Sequence, residues 1–250
     1  MPRTTRGGRV CPRRAEARPF VHRMRPAIIL FDIDGTLVDT GGAGRRAMRR
    51  AFAERYDRPD ATDGIDFGGR TDGWIFDEAT RAIGVALDLA AREALIAAYL
   101  TALEDEVERS PRYRVHEGAV AAIDHAESLG LAVGLGTGNV QDGARVKLRR
   151  AGLDVRFAFG GFGSDATARP DVLRAGAERG AARLGVALAA CRIVVLGDTP
   201  HDLTAARAIG ATSVAVTTGP FDADALRAAG ADVVVDRLDA PAALDAIGRR

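Results

Sequence analysis

Cysteine is nearly missing from this chain: Cys11 and Cys191 are the only two, too few and too far apart for a disulfide framework or a zinc site. Cys191 abuts an apolar run, where a buried, inert thiol is the expected role, and such sparing use of cysteine fits a reducing compartment, the cytoplasm. Lysine is scarcer still. Lys147 stands alone among 35 basic residues, a bias toward Arg that makes an Arg at a position where Lys is usual unsurprising. No apolar stretch approaches the length of a membrane span. The formal charge of +1 argues against a bulk attraction to nucleic acid.

What is present is core-forming material. Hydrophobic residues make up 47% of 250 residues, enough for one large domain or two small ones, and a globular chain is implied. Charge is unevenly spread: residues 1–25 hold eight Arg and one Glu, so the remainder is mildly acidic. The Arg-rich leader has the composition of a nucleic-acid-binding arm or an organellar targeting segment. It lacks any apolar periodicity, however, and a disordered tail is expected, with Met24 as an alternative translation start just ahead of Pro26.

Short apolar runs alternate with longer Ala-rich periodic stretches, the pattern of βα repeats around a parallel sheet. Strands are predicted near 27–32, 132–136, 156–160, 192–196, 212–216 and 232–235, with helices over 117–129, 140–151, 171–185, 201–209, 222–229 and 239–248. Residues 41–113 break the rhythm. They carry only helical patterns, near 42–56, 72–83 and 89–108, and read as a helical insert in an α/β core formed by 26–40 and 114–250.

Four polar signals punctuate the core. Asp32-Ile33-Asp34-Gly35-Thr36-Leu37 follows the apolar run 27–31 directly, so two carboxylates leave a strand end on one side. Thr137-Gly138-Asn139 follows a second apolar run, Arg169-Pro170 comes next, and Gly197-Asp198-Thr199-Pro200-His201-Asp202 follows a third. Each of the runs should end at the carboxyl edge of a parallel sheet, where ligands of such folds bind. The first strand is expected at the centre, between the strands before Thr137 and Asp198, which would place Asp32, Asp34, Thr137 and Asp198 in one crevice.

These four motifs, in this order, resemble those of the haloacid dehalogenase superfamily, most closely its phosphatases, over residues 26 to about 237. The resemblance implies a Rossmann-like parallel sheet flanked by helices, with residues 41–113 as a helical cap of the C1 class on hinges near 38–42 and 111–117. It implies Mg²⁺-dependent hydrolysis of a small phosphorylated metabolite. Asp32 would be the nucleophile that forms an aspartyl-phosphate, and Asp34 the general acid and base. Asp32, Asp198 and the backbone carbonyl of Asp34 would hold the metal. Thr137, Gly138 and Asn139 would hold phosphate oxygens, together with Arg169 in place of the family's usual Lys.

Other positions are read less sharply. Asp202 would act on the metal from behind its own ligands or through a water, or simply cap a helix. Arg70 and Thr71, in the insert's Gly68–Asp72 loop, lie where C1 enzymes select substrate; the alternative is a helix cap by Thr71 or Asp72. His201 is expected to be a cap or surface group. Lys147 is expected on the solvated face of its helix, leaving the third motif to Arg169. Within the superfamily Asp34 favours phosphate esters and Thr36 hydrolysis, and the C1-type cap and overall length resemble phosphoglycolate phosphatases and similar small-metabolite phosphatases. The alternatives are a sugar-phosphate phosphomutase and a catalytically silent phosphate- or metal-binding regulator.

Overall fold

The computed structural model describes residues 25–249, so nearly all of the Arg-rich leader lies outside the described residues. Strand β1 (Ala27–Phe31) is buried along its whole length, as a central parallel strand covered on both faces must be. The chain continues through β2 (Val38–Asp39), α1 (Ala43–Tyr56), α2 (Asp72–Ala82), α3 (Leu89–Glu108), β3 (Arg114–Val115), α4 (Ala119–Ser128), β4 (Ala132–Gly136), α5 (Gln141–Arg149) and β5 (Gly160–Gly161). It ends with α6 (Arg169–Leu184), β6 (Arg192–Gly197), α7 (Pro200–Ala208), β7 (Thr212–Val216), α8 (Ala223–Ala228), β8 (Val233–Val235) and α9 (Pro241–Gly248). None of the described helices is long and apolar enough to cross a membrane.

Six strands form one sheet in the order β5-β4-β1-β6-β7-β8, with every neighbouring pair parallel. Phe31 is in register with Leu135 of β4 on one side and Leu196 of β6 on the other. That register sets the carboxyl ends of three strands level, and Asp32, Thr137 and Asp198 each follow directly after their strands. A core of Ile29, Phe31, Leu135, Val194 and Val214 with Ile123 and Ile247 fills one face of the sheet. Ile28, Leu30 and Val195 pack against Leu173 and Ala177 of α6 on the other.

One predicted strand is corrected. Residues 156–160 do not form an extended strand: Asp154–Arg156 is a 3₁₀ turn, and pairing is confined to Gly160 and Gly161. The 3₁₀ turn delays the strand, and where it forms its backbone packs closely on α6: a Cβ on Gly161 would lie 1.8 Å from the carbonyl oxygen of Val172. The strand can therefore approach α6 this closely only at a glycine, while the Phe159 carbonyl just before it still accepts from the Leu135 N–H at 3.1 Å.

The segment between β1 and β4 has its own core. Met48 and Phe52 of α1, Ile75 and Phe76 of α2, and Leu95, Tyr99 and Leu103 of α3 form a second apolar cluster, with Phe76 and Tyr99 packed edge to face at 5.6 Å. The antiparallel pair β2–β3 joins this helical unit to the sheet, through Val38 opposite Val115 and Asp39 opposite Arg114.

Candidate active site

A cavity of about 310 Å³ opens at the carboxyl edge of β1, β4 and β6 and is roofed by the helical unit. Asp32, Asp34, Thr137, Gly138, Asn139, Arg169 and Asp198 line it from the sheet side, and Arg45 of α1, Phe67 and Arg70 of the α1–α2 loop and Asp72 of α2 from the other. The structure thus brings together the residues expected from all four motifs.

Asp32 is buried, its backbone N–H donating to the Leu196 carbonyl at 2.9 Å. Its Oδ1 accepts from Arg169 Nη2 at 2.7 Å. Burial pushes its carboxyl up to about 6; the Arg169 guanidinium opposes this, while the Asp202 and Asp34 charges add to it. Asp198 is pushed well above the carboxylate range by burial and by the charges of Asp32 and Asp202. Thr36 donates to its Oδ1 at 3.2 Å. Glycines hem in the other oxygen: a Cβ at Gly35 or Gly219 would come within 2.2 or 1.8 Å of Asp198 Oδ2.

Arg169 opens α6 just ahead of Pro170, whose fixed φ suits a first helical turn. Its guanidinium is buried and spans Asp32 Oδ1, the Gly136 carbonyl at 3.0 Å and Asp202 Oδ1 at 2.6 Å. Asp202 has both oxygens engaged, because Oδ2 accepts from the Thr199 hydroxyl at 2.9 Å and the Thr199 N–H at 3.2 Å in a capping box at the start of α7. One oxygen each of Asp32, Asp198 and Asp202 nevertheless falls within a 4.8 Å cluster.

Thr137 Oγ1 accepts from the Asn139 side chain at 2.7 Å and its backbone N–H at 3.3 Å. Gly138 is required by close approach: a Cβ there would lie 2.2 Å from the Arg70 carbonyl. Arg70 reaches the cavity wall with its guanidinium stacked 4.3 Å above the Trp74 ring. Thr71 is spent otherwise. It caps α2 by accepting from the Trp74 N–H at 3.2 Å and donates to the Thr167 carbonyl at 3.0 Å. His201 lies in the first turn of α7, where burial and Arg70 lower its pKa.

Lys147 requires a correction. It does not sit on a solvated face: it is buried on the inner side of α5, and its Nζ donates to Asp34 Oδ2 at 2.7 Å. The same carboxylate oxygen accepts from Asn139 Nδ2 at 2.8 Å. Asp72 was seen in the sequence only as a cap. Its Oδ2 accepts the Val140 N–H at 2.8 Å, and burial raises its pKa to about 6 against the pull of Lys147. Residue type hid Lys147, because a lysine between Val146 and Leu148 reads as a break in an apolar stripe; its being the chain's single lysine was the signal available.

A family model for haloacid dehalogenase-like hydrolases matches residues 26–210. The chain belongs to this family. Among curated relatives, the probable phosphatase IndB of Dickeya dadantii is 29% identical over 85% of this chain and 90% of its own length. A phosphoglycolate phosphatase of Xanthomonas campestris pv. campestris is 30% identical over 78% and 84%. Solved haloacid dehalogenase-like folds agree. CbbY of Rhodobacter sphaeroides, in complex with phosphate, superposes with a TM-score of 0.63 at 20% identity, covering 88% of this chain and 99% of that one. A Pseudomonas syringae hydrolase gives 0.62 at 23%, covering 86% and 94%.

Proposed function

We propose that this hydrolase is a phosphatase that cleaves a small phosphomonoester through an aspartyl-phosphate on Asp32. The observation that carries the reading is the pairing of two differently held carboxylates on one cavity. Asp32 is buried with Oδ1 fixed by Arg169, and Asp34 is part-exposed beside it. Arg169 occupies Oδ1 of Asp32, which leaves Oδ2 to attack phosphorus as the bond to the leaving oxygen breaks. Asp34 gives its carboxyl proton to that oxygen. In the second half, Asp34 takes a proton from water, whose oxygen bonds to phosphorus as the bond to Asp32 breaks, and inorganic phosphate leaves.

The donor set suits Mg²⁺. Hard oxygens are gathered, and burial pushes up the carboxyls of Asp32 and Asp198, with the charges of Asp202 and Asp34 adding to it at Asp32 and those of Asp32 and Asp202 at Asp198, a strain that a cation would relieve. Asp32, Asp198 and the Asp34 carbonyl would hold it; Asp202 is committed to Arg169 and Thr199 and acts through them. Bound there, the cation would supply charge neutralisation for the phosphoryl oxygens. Thr137, Gly138, Asn139 and Arg169 would hold those oxygens from the sheet side. We read the helical unit as a cap over the cavity, with β2–β3 as its stem, and Arg70 as its contribution to specificity. Sparing cysteine use and a free, buried Cys191 support a cytoplasmic setting.

The cavity of about 310 Å³ suits a compact leaving group, and Arg45 and Arg70 on its walls favour an anionic one, in keeping with the relatives named phosphoglycolate phosphatases. The test is phosphate release from a panel of small phosphomonoesters with Mg²⁺, with EDTA, and with Asp32→Asn and Asp34→Asn. Release that needs Mg²⁺ and is lost in Asp32→Asn is expected. A folded Asp32→Asn protein that keeps wild-type turnover would sink the reading.

A further inference from the structure

We propose that Lys147 is a positioning residue that holds the Asp34 carboxylate at the angle needed for proton transfer to the leaving group. The inference rests on the reading of Asp34 as the acid and base. Asp34 projects from a loop and its side chain is 43% exposed, so nothing about its backbone alone would keep it in one rotamer. Two donors do. Lys147 Nζ and Asn139 Nδ2 lie 2.7 and 2.8 Å from the same oxygen, Oδ2, which directs Oδ1 to the substrate.

Lys147 is itself immobilised. It is 5% exposed, and a Cβ built on Gly44 of α1 would meet its Nζ at 3.3 Å. Asp72, at the start of α2, balances the ammonium from the helical side. Asp72 is in turn fixed to the Thr137–Val140 loop, its carboxylate accepting from Val140 N–H and its own N–H donating to the Gly138 carbonyl at 2.8 Å. A compact ammonium fits under Gly44, whereas a planar guanidinium needs more width. That steric limit accounts for a lysine here in a chain whose other basic residues are all Arg.

A positioning role for proton transfer differs measurably from a structural or a binding role. An alkyl ester releases a poor leaving group and depends on the acid, whereas p-nitrophenyl phosphate releases a stabilised phenolate and hardly needs a proton. We would compare kcat/KM for Lys147→Met, Lys147→Arg, Asp34→Asn and the unaltered enzyme on both esters with Mg²⁺, with thermal melts of each protein. Lys147→Met is expected to lose about 10- to 100-fold on the alkyl ester and less than about 3-fold on p-nitrophenyl phosphate, through kcat and with the same bias as Asp34→Asn.

Lys147→Arg keeps the charge without the geometry and should show the same bias with a lowered melt, since its guanidinium is wider than the slot under Gly44; the bias is a ratio of two esters on one protein, so it stands whatever fraction of either variant is folded. Equal losses on the two esters would overturn the proposal in favour of a structural ion pair. A raised KM with unchanged kcat would overturn it in favour of substrate binding, and so would wild-type behaviour of Lys147→Arg in favour of charge alone. If Asp34→Asn itself shows no bias between the esters, the acid and base reading fails and the positioning role of Lys147 falls with it, whereas a bias in Asp34→Asn that is absent from both Lys147 variants overturns the role of Lys147 alone.

Discussion

Arg169 illustrates how much one side chain carries here. Its guanidinium bridges two buried carboxylates and a strand-end carbonyl at once, a geometry that needs a planar fork of donors. Arg169→Lys should fold but can satisfy only part of that set, so kcat/KM for phosphate release should fall about 10- to 100-fold, equivalent to about 1.4–2.7 kcal/mol. Arg169→Gln leaves Asp32 and Asp202 without their counter-charge. Loss of one partner of a buried pair costs about 3–5 kcal/mol, and the lower end is expected, because Asp32 already titrates at about 6 and can relieve the strain by taking a proton. Urea denaturation of the two variants checks the second figure.

His116 offers a separate test at the same scale. It is buried at the end of β3, its Nε2 has no hydrogen-bond partner, and burial with Arg114 nearby lowers its pKa, Asp39 opposing. The folded protein therefore resists protonation where the unfolded chain accepts it. Stability is full above the unfolded value of about 6.5 and is lost as pH falls below it toward the folded pKa. In urea melts at pH 8 and pH 6, His116→Gln should lose less stability over that interval than the wild type. An equal loss in both would show that His116 does not titrate differently in the two states.

At the scale of elements, α6 and β5 are joined backbone to backbone. Gly161→Ala would drive a methyl into the Val172 carbonyl, 1.8 Å away, so α6 must move; overpacking of this kind costs about 1–3 kcal/mol. Because Arg169 begins α6, the shift should also lower phosphatase activity. Gly73→Ala is the contrast: its new Cβ meets only the Gly163 carbonyl at 3.6 Å, an ordinary contact, and a helical glycine replaced by alanine should change stability by under about 1 kcal/mol in the favourable direction. Thermal melts with parallel assays distinguish the two. The helices of residues 43–108 were legible because each repeats apolar residues at helical spacing, and their observed limits lie within a residue of the pattern. The run at 156–160 misled because apolar content alone does not distinguish a strand from irregular backbone that delivers Phe157 and Phe159 to the core.

For the whole molecule, folding gathers buried acids at a cost that a bound cation would offset. Asp32 binds its proton more tightly folded than unfolded, so stability without cation declines as pH rises from about 4 toward 6. Mg²⁺ at about 100 times its dissociation constant should add about 2.7 kcal/mol, a rise in Tm of about 5–10 °C at pH 7.5. Asp198→Asn should abolish the increment, and scanning calorimetry with Mg²⁺ or EDTA measures it. An unchanged Tm in the wild type at saturating Mg²⁺ would count against the proposed site.

The amino-acid sequence determined the parallel-sheet architecture, the helical insert and the four strand-end motifs, because these depend on local periodicity and on residues adjacent in the chain. It identified Asp32, Asp34, Thr137, Arg169 and Asp198 as partners before any distance was known. Only the tertiary structure decided what binds those groups to one another. Lys147 and Asp34 are 113 residues apart in sequence, and Arg169 and Asp32 are 137 apart, so no local pattern can show that each pair is in contact. The same holds for Asp72 on the Thr137–Val140 loop and for the glycines around Asp198, whose importance comes from how closely distant backbones approach. Contacts of that kind are fixed by how the sheet, its helices and the inserted unit pack, and packing is a property of the folded chain.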